Sequence, residues 1–471
     1  MRYVSTRGQA PPVSFLDAVL VGLAPDGGLY VPEAWPLLPE RALATASLTH
    51  HSGVAMRVLM AMAGEELDLS DIAPLTNEAY IGFPDRPDWT PHWPEAVTPF
   101  VHVGIGDFVM ELFHGPSLSF KDVAMQLIGP LYDLALARRD ARLSVVCATS
   151  GDTGGAAVEA LKGRERVDLF VLLPKGRVSD VQRRFMTTSG AANVHAIEIE
   201  GDFDACQAIV KAMFADAGFA ARARLSGVNS INWARIAAQS VYHVVAASAF
   251  SGPGPINVVV PTGNFGDALS GWVAKRMGAP IDRIVLATNS NDILTRALNK
   301  GRYERAASSQ ATLSPAMDIQ VASNFERILF EAVGRDGELV RRLYQQFAQS
   351  GGFDIPADAL ELLRQDFAAA SVDDAETLRT MTWAAYTPCP HTAVALWART
   401  KIDPPLSGPV VTLATAHPAK FPDTVERATG VRPALPAKCA DLFEREEQIA
   451  ALPADVEAVK AFIRERSRAW S

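Results

Sequence analysis

The sequence predicts an α/β fold with mainly parallel sheets, preceded by a mostly helical N-terminal unit. The first observation behind this is a series of short runs rich in Val, Ile and Leu, alternating with helical segments. The runs are Leu143–Cys147, Leu169–Leu173, Val194–Ile199, Ile256–Val260, Ile284–Ala287 and Val410–Leu413. Such Val-, Ile- and Leu-rich runs alternating with helices are what buried strands of mainly parallel sheets look like. The second is that residues 1–95 carry helical periodicity and hardly any such run. The third is the proline cluster Pro84, Pro87, Pro91, Pro94 and Pro99 between the two regions. It forms a stiff, irregular connector and marks a domain boundary.

In chain order, Ser14 is placed to cap a helix whose apolar positions are Phe15, Val19, Leu20 and Leu23. Pro25-Asp26-Gly27-Gly28 turns the chain into a short extended piece, Leu29–Pro32. A second amphipathic helix runs through Val54, Val58, Leu59 and Met62, and a third covers Leu75–Ile81. Beyond the prolines, the apolar run Phe108–Phe113 reads as a strand broken by Gly115-Pro116. The segment after Pro433 reads as charged and helical, with no chemistry attached.

Composition narrows the function classes. Hydrophobic residues make up 48 % and charged residues 21 % of 471, an ordinary globular balance. A net charge of −9 supplies no basic stripe for nucleic acid. No apolar run reaches the ~18 residues of a membrane span, and the N-terminus lacks a signal-peptide pattern. Cys147, Cys206, Cys389 and Cys439 are widely spaced and show no metal-ligand spacing, which suits reduced thiols in a cytoplasmic protein.

In parallel sheets, ligands bind outside the carboxyl ends of strands. Four such places stand out. After the first run comes His114-Gly115-Pro116-Ser117-Leu118-Ser119-Phe120-Lys121-Asp122, with Lys121 in the first turn of a helix. A lone lysine there is ordinarily solvated. In a partly desolvated cleft at a helix N-terminus its charged form is disfavoured, and the amine becomes nucleophilic. After Leu143–Cys147 comes Thr149-Ser150-Gly151-Asp152-Thr153-Gly154, whose hydroxyls and N–H groups form an anion nest. A plain strand-to-helix turn favours the same residues. After Ile256–Val260 comes Pro261-Thr262-Gly263-Asn264-Phe265-Gly266-Asp267, a glycine turn and helix start. It has neither the Gly-Lys-Ser/Thr of a Walker loop nor the third glycine of a dinucleotide fingerprint. A phosphate cradle without nucleotide machinery suggests a small phosphorylated cofactor. After Val410–Leu413 comes Thr415-Ala416-His417-Pro418-Ala419-Lys420-Phe421. Separately, Asn232 and Arg235 lie three apart and share a helical face, where Arg235 could clamp a phosphate or carboxylate.

Taken together, these motifs resemble those of the threonine synthase family, the longer type with an N-terminal domain, within the fold type II pyridoxal phosphate enzymes. Ser5-Thr6-Arg7-Gly8 and Asp26-Gly27-Gly28-Leu29 match its opening segment, and the motifs above follow in family order as far as Phe421. The resemblance implies two mainly parallel sheet lobes: a larger one from 96–140 and 230–471, and a smaller one from 141–229. It implies that Lys121 anchors pyridoxal 5'-phosphate as a Schiff base and acts as the proton shuttle. Gly263, Asn264, Phe265, Gly266 and Asp267 would hold the cofactor phosphate and its surroundings, with Thr415 at the pyridine nitrogen. Thr149, Ser150, Gly151, Asp152 and Thr153 would bind the amino-acid carboxylate. Asn232 and Arg235, with Ser117 and Ser119, would hold the substrate phosphate. No metal is implied.

The reaction implied is O-phospho-L-homoserine plus water giving L-threonine plus phosphate, by γ-elimination and β-addition, in a monomer or dimer with no nucleic acid or membrane partner. Two alternatives share these residues: a phospho-lyase releasing 2-oxobutyrate, and a catalytically silent pyridoxal-binding protein. Ser117 and Ser119 stand where the family commonly has Thr and Ala. Asp152 stands where many wider relatives have an Asn facing the cofactor's phenolic oxygen. A carboxylate there would repel a phenolate, so Asp152 is expected to be protonated or turned towards a backbone donor.

Overall fold

The computed structural model describes residues 1–40, 43, 51–81, 83, 97–149, 151–250, 254–382 and 386–470. Of the proline connector, only Pro99 lies among them. Each of the six apolar runs forms a strand. They fall into two sheets, three runs in each.

The larger sheet has six strands in the order Phe367–Ser371, Ile281–Thr288, Ile256–Pro261, Val410–Ala414, Asp107–Glu111 and Phe100–Gly104. All neighbours are parallel except the last pair, a hairpin. The smaller sheet is wholly parallel, in the order Ile449–Pro453, Val194–Glu200, Val167–Pro174, Leu143–Ala148 and Leu225–Ser226. Val167–Pro174 is buried along its whole length, which is why it carries no polar alternation.

The tail corrects the sequence reading. Assigned from sequence to the larger lobe as a charged helical segment, it instead adds the edge strand Ile449–Pro453 to the smaller sheet, parallel to Val194–Glu200. The helix Val456–Arg466 follows and buries Val459 and Ile463 against Ile197, Ile199, Cys206 and Ile209. Arg468 fastens the end, with its backbone N–H and Nε on Asp168 at 2.6 and 2.7 Å. Ile449-Ala450-Ala451-Leu452-Pro453 has too few β-branched residues to announce a strand, and its proline is tolerated because the edge faces solvent.

The N-terminal helices form near the positions expected. Ser14 caps Phe15–Leu20 through the N–H of Asp17. This helix stops short of Leu23, which is 45 % exposed, because Gly22 and the Pro25–Gly28 turn interrupt it. His51–Ala63 and Leu69–Tyr80 follow, the latter opened by a capping box between Asp68 and Asp71. Their apolar faces share one cluster with the lobes: Phe15, Val19, Val58 and Met62 join Leu127, Leu131 and Trp233. All four cysteines are buried and unpaired. Among the described residues no helix is long and apolar enough to cross a membrane, and no His/Cys/Asp/Glu group could hold a metal ion.

Candidate active site

The four singled-out loops all leave the carboxyl ends of sheet strands, three in the larger sheet and one in the smaller. The Lys121 loop follows Asp107–Glu111, the Thr149 loop follows Leu143–Ala148, the glycine turn follows Ile256–Pro261 and the Thr415 loop follows Val410–Ala414. Two of these loops are stitched together. Phe120 N–H donates to the Thr415 carbonyl at 2.8 Å, His417 N–H donates to the Leu118 carbonyl at 3.1 Å, and Ser119 bridges Ala416. This short antiparallel pairing sets Lys121 beside Thr415.

Lys121 is the first residue of the helix Lys121–Ala137, whose N-cap Phe120 offers no side-chain bond. Its amine is mostly buried, 3.7 Å from Asp152 Oδ2. Burial pushes its pKa down to about 8, helped by the positive charges of Arg235 and Lys420 and opposed by Asp152. The loop before it is rigid. Buried Asp122 accepts bonds from Ser117 N–H (2.9 Å), Ser117 Oγ (2.7 Å) and Ser119 N–H (3.2 Å). Gly115 lies so close that a Cβ there would overlap the Asp122 side chain. Burial pushes the Asp122 carboxyl up to about 6. Leu118 takes left-handed backbone at φ 61° to make the turn.

At the second loop, Asp152 opens the helix Asp152–Leu161 behind Gly151, whose φ of 139° suits glycine alone. The expectation of a protonated Asp152, or one turned to a backbone donor, is corrected. Its Oδ1 meets Lys420 Nζ at 2.8 Å and accepts from Gln182 Nε2 at 2.8 Å. Burial alone would raise its pKa, but the Lys420 and Lys121 charges and these bonds hold the carboxyl well below the usual carboxylate range. Thr149 braces the loop, its hydroxyl accepting from Gly151 and Gly154 N–H at 2.9 and 3.0 Å. Thr153 lies in the first helical turn, and Ser150 lies outside the described residues.

The glycine turn opens the helix Gly266–Arg276 with Phe265 as an uncapped N-cap at φ 64°. The first N–H groups of such a helix have no intrahelical acceptor. A side chain at Gly263 would strike the Ala316 carbonyl at 2.9 Å, and the Asn264 carbonyl accepts from Asn324 N–H at 3.0 Å. Asp267 has its Oδ1 bonded by Tyr242 Oη at 2.6 Å and His243 Nε2 at 3.0 Å. Its expected place around the cofactor is therefore that of a support behind the cradle, since its carboxylate would repel a phosphate.

The Asn232–Arg235 pair divides. Asn232 is the N-cap of Trp233–Ala249; its Oδ1 accepts from Ala234 N–H, and its Nδ2 donates to the Val19 carbonyl and Tyr132 Oη at 2.8 and 2.9 Å. Its amide hydrogens are committed, which removes it from the expected clamp. Arg235, one turn on, is buried with its Nε unpartnered and only the Val228 carbonyl at 3.3 Å on Nη1. No carboxylate pairs with it among the described residues, and burial lowers its pKa to about 10. Thr415 keeps its hydroxyl without a hydrogen bond among the described residues, while its N–H donates to Thr392 Oγ1 at 3.3 Å. Sequence reasoning missed roles for Lys420, Gln182 and Asp122. Lys420 carried the same signal as Lys121, a lysine just beyond a buried strand, whereas Gln182 carried none.

A depressed amine, an uncapped helix start at a glycine turn and a hydroxyl without a hydrogen bond among the described residues together fit pyridoxal phosphate. The fold and site thus define a pyridoxal phosphate-dependent enzyme of fold type II. Residues 2–80 match the family described as threonine synthase N terminus, residues 98–416 the pyridoxal-phosphate dependent enzymes, and residues 392–463 threonine synthase, C-terminal. Threonine synthase from Pseudomonas aeruginosa is 45 % identical over 470 residues, 98 % of each chain. The crystal structure of the PLP-bound threonine synthase from Brucella melitensis superposes with TM-score 0.93 at 48 % identity, covering 99 % of this chain and 100 % of that one. The yeast threonine synthase structure gives 0.90 at 36 %, covering 99 % and 98 %. The chain belongs to the threonine synthase family of pyridoxal phosphate-dependent lyases.

Proposed function

We propose that the protein converts O-phospho-L-homoserine and water to L-threonine and phosphate. The observation that carries this is Arg235, a buried guanidinium whose charge is felt at the Lys121 amine and whose Nε has no partner, with no carboxylate paired to it among the described residues and Asp267 acting on it only from beyond ion-pair distance. A buried charge without a partner is costly, and a phosphate supplies the missing one. In this reading Lys121 anchors the cofactor, and the N–H groups of Gly263, Asn264, Phe265 and Gly266 hold its phosphate. Thr415 offers its hydroxyl to the ring nitrogen. When bound, pyridoxal phosphate supplies an electron sink for carbanion chemistry.

The chain's own groups do the rest. Lys121, with its pKa near 8, is neutral often enough near neutral pH to take the proton from the substrate α-carbon. Arg235 holds the substrate phosphate and steadies its growing charge as the γ-carbon–oxygen bond breaks. The helix start at Gly151 and Thr153 presents N–H groups to the amino-acid carboxylate, while Lys420 neutralises Asp152 beside them. Ser117 and Ser119 serve the Lys121 loop through Asp122.

Incubation with O-phospho-L-homoserine tests the reading. Threonine and phosphate should appear in equal amounts, and Lys121→Ala should abolish both. Arg235→Gln should raise KM about tenfold or more, because a charge-assisted bond to phosphate is lost. Release of 2-oxobutyrate and ammonia in place of threonine would identify the phospho-lyase instead.

A further inference from the structure

Lys420 is 1 % exposed and ends the short turn Pro418–Lys420 beyond the strand Val410–Ala414. Its ammonium contacts Asp152 Oδ1 and the Ser117 carbonyl, each at 2.8 Å. Those partners belong to different lobes. Asp152 opens a helix behind the smaller sheet, and Ser117 lies on the Lys121 loop of the larger one. Gln182, also from the smaller lobe, donates to the same Asp152 oxygen, and Ser179 Oγ donates to the Lys420 carbonyl at 3.2 Å. Asp152 Oδ1 is thereby filled. Oδ2 remains to face Lys121, at 3.7 Å and beyond hydrogen-bond reach.

We propose that Lys420 is a positioning residue for the reaction: it holds Asp152 across the two lobes so that this carboxylate cannot close on the Lys121 amine. The inference rests on the cofactor-anchoring role of Lys121 proposed above. A buried carboxylate released from Lys420 would pair directly with the nearest cation, which is Lys121, and keep it as an ammonium. An ammonium is neither nucleophile nor base. The charged and titratable groups around Lys121 are Asp152, Lys420, Arg235, Asp267 and His391. Asp267 is bound to Tyr242 and His243. His391 is neutral, since burial lowers its pKa to about 4. Arg235 and Lys420 both oppose a charge on Lys121; Asp152 and Asp267 favour it, Asp152 the more strongly and the one within ion-pair distance, and Lys420 restrains Asp152.

The test uses the full-length chain stripped of cofactor. Uptake of pyridoxal phosphate is followed against pH by its visible absorbance band. In the unmodified protein uptake should rise through about pH 8. In Lys420→Met the midpoint should move up by about one unit, slowing uptake near pH 7 about tenfold, since the neutral fraction falls tenfold per unit. Lys420→Gln, which can still bond the Ser117 carbonyl, is the second variant and should shift the same way. Lys420→Arg should restore the original midpoint, and Asp152→Asn added to Lys420→Met should bring it back down. An unchanged midpoint in folded Lys420→Met or Lys420→Gln, checked by near-UV circular dichroism, would overturn the proposal. So would a shift that Asp152→Asn does not reverse. A band that persists in Lys121→Ala would count against the anchoring role itself, and is distinguishable from both.

Discussion

Lys121 owes its setting to a carboxylate that never touches it. Asp122 gathers three donors from Ser117 and Ser119 and so fixes the turn that presents the amine. Gly115 is needed because the Asp122 side chain occupies the space of its Cβ. In Asp122→Asn, one acceptor oxygen becomes an amide NH2 facing donors, which leaves at least one buried N–H or hydroxyl unsatisfied. The expected loss is about 1–3 kcal/mol of stability, read from urea denaturation, together with slower cofactor uptake at Lys121. Wild-type stability in this variant would mean that the loop is held by other contacts. At this scale the sequence was informative where one residue type has one use. Lys121 beside Gly115-Pro116, the glycines of 263–266 and Thr415 all sit at recognisable strand ends. Asn232 misled for a physical reason: an amide that could reach a ligand is equally good at capping a helix, and the pairing with Val19 spans the chain. The ionised state of Asp152 was out of reach because it depends on Lys420, which lies far away in sequence.

Elements were legible in proportion to their apolar content. The six Val/Ile/Leu runs are strands because burial on both faces demands such residues, whereas the Ala-rich edge strand Ile449–Pro453 is defined by its partner and left no period to read. The helix His51–Ala63 carries a further consequence at this scale. His51, at its start, is buried with Nε2 unpartnered, and its ring packs edge-on against Tyr80 at 4.7 Å. Burial lowers its pKa to about 3, from an ordinary 6.5. The folded protein therefore keeps it neutral, while the unfolded chain takes up a proton below 6.5. The stability associated with the neutral ring is complete above that value and declines as pH falls from 6.5 towards 3. His51→Phe keeps the ring contact and removes the titration. Its urea midpoint should change less between pH 7.5 and pH 5 than that of the unmodified protein, by the equivalent of about 2 kcal/mol. Parallel loss in both proteins would show that His51 does not contribute to acid sensitivity.

Across the whole molecule, the proline connector marks a boundary in sequence that the packing does not respect. The N-terminal helices and the lobes share one apolar cluster. Arg7 grips Glu326 through Nε and Nη2 at 3.1 and 3.0 Å, and Thr6 Oγ1 donates to the same carboxylate at 2.6 Å. Asn232 ties the Val19 carbonyl to the very helix that carries Arg235. Removing the N-terminal segment would take away the partners of a shared apolar cluster that includes Leu127, Leu131 and Trp233, and contiguous exposed apolar surface favours association. A chain beginning after the connector should therefore fail to accumulate as soluble protein. The full chain should unfold in urea in a single transition, with tryptophan fluorescence and far-UV circular dichroism coincident, because Trp233 lies between the two regions, 5.5 Å from the Tyr3 ring. Asn232→Ala should lower that transition without splitting it, by about 1–3 kcal/mol for a lost cap and an unsatisfied carbonyl. Two separate transitions, the first releasing the N-terminal segment from intact lobes, would show instead that the segment is a docked domain with its own stability. The placement of Arg235 would then have to be maintained by the lobes alone.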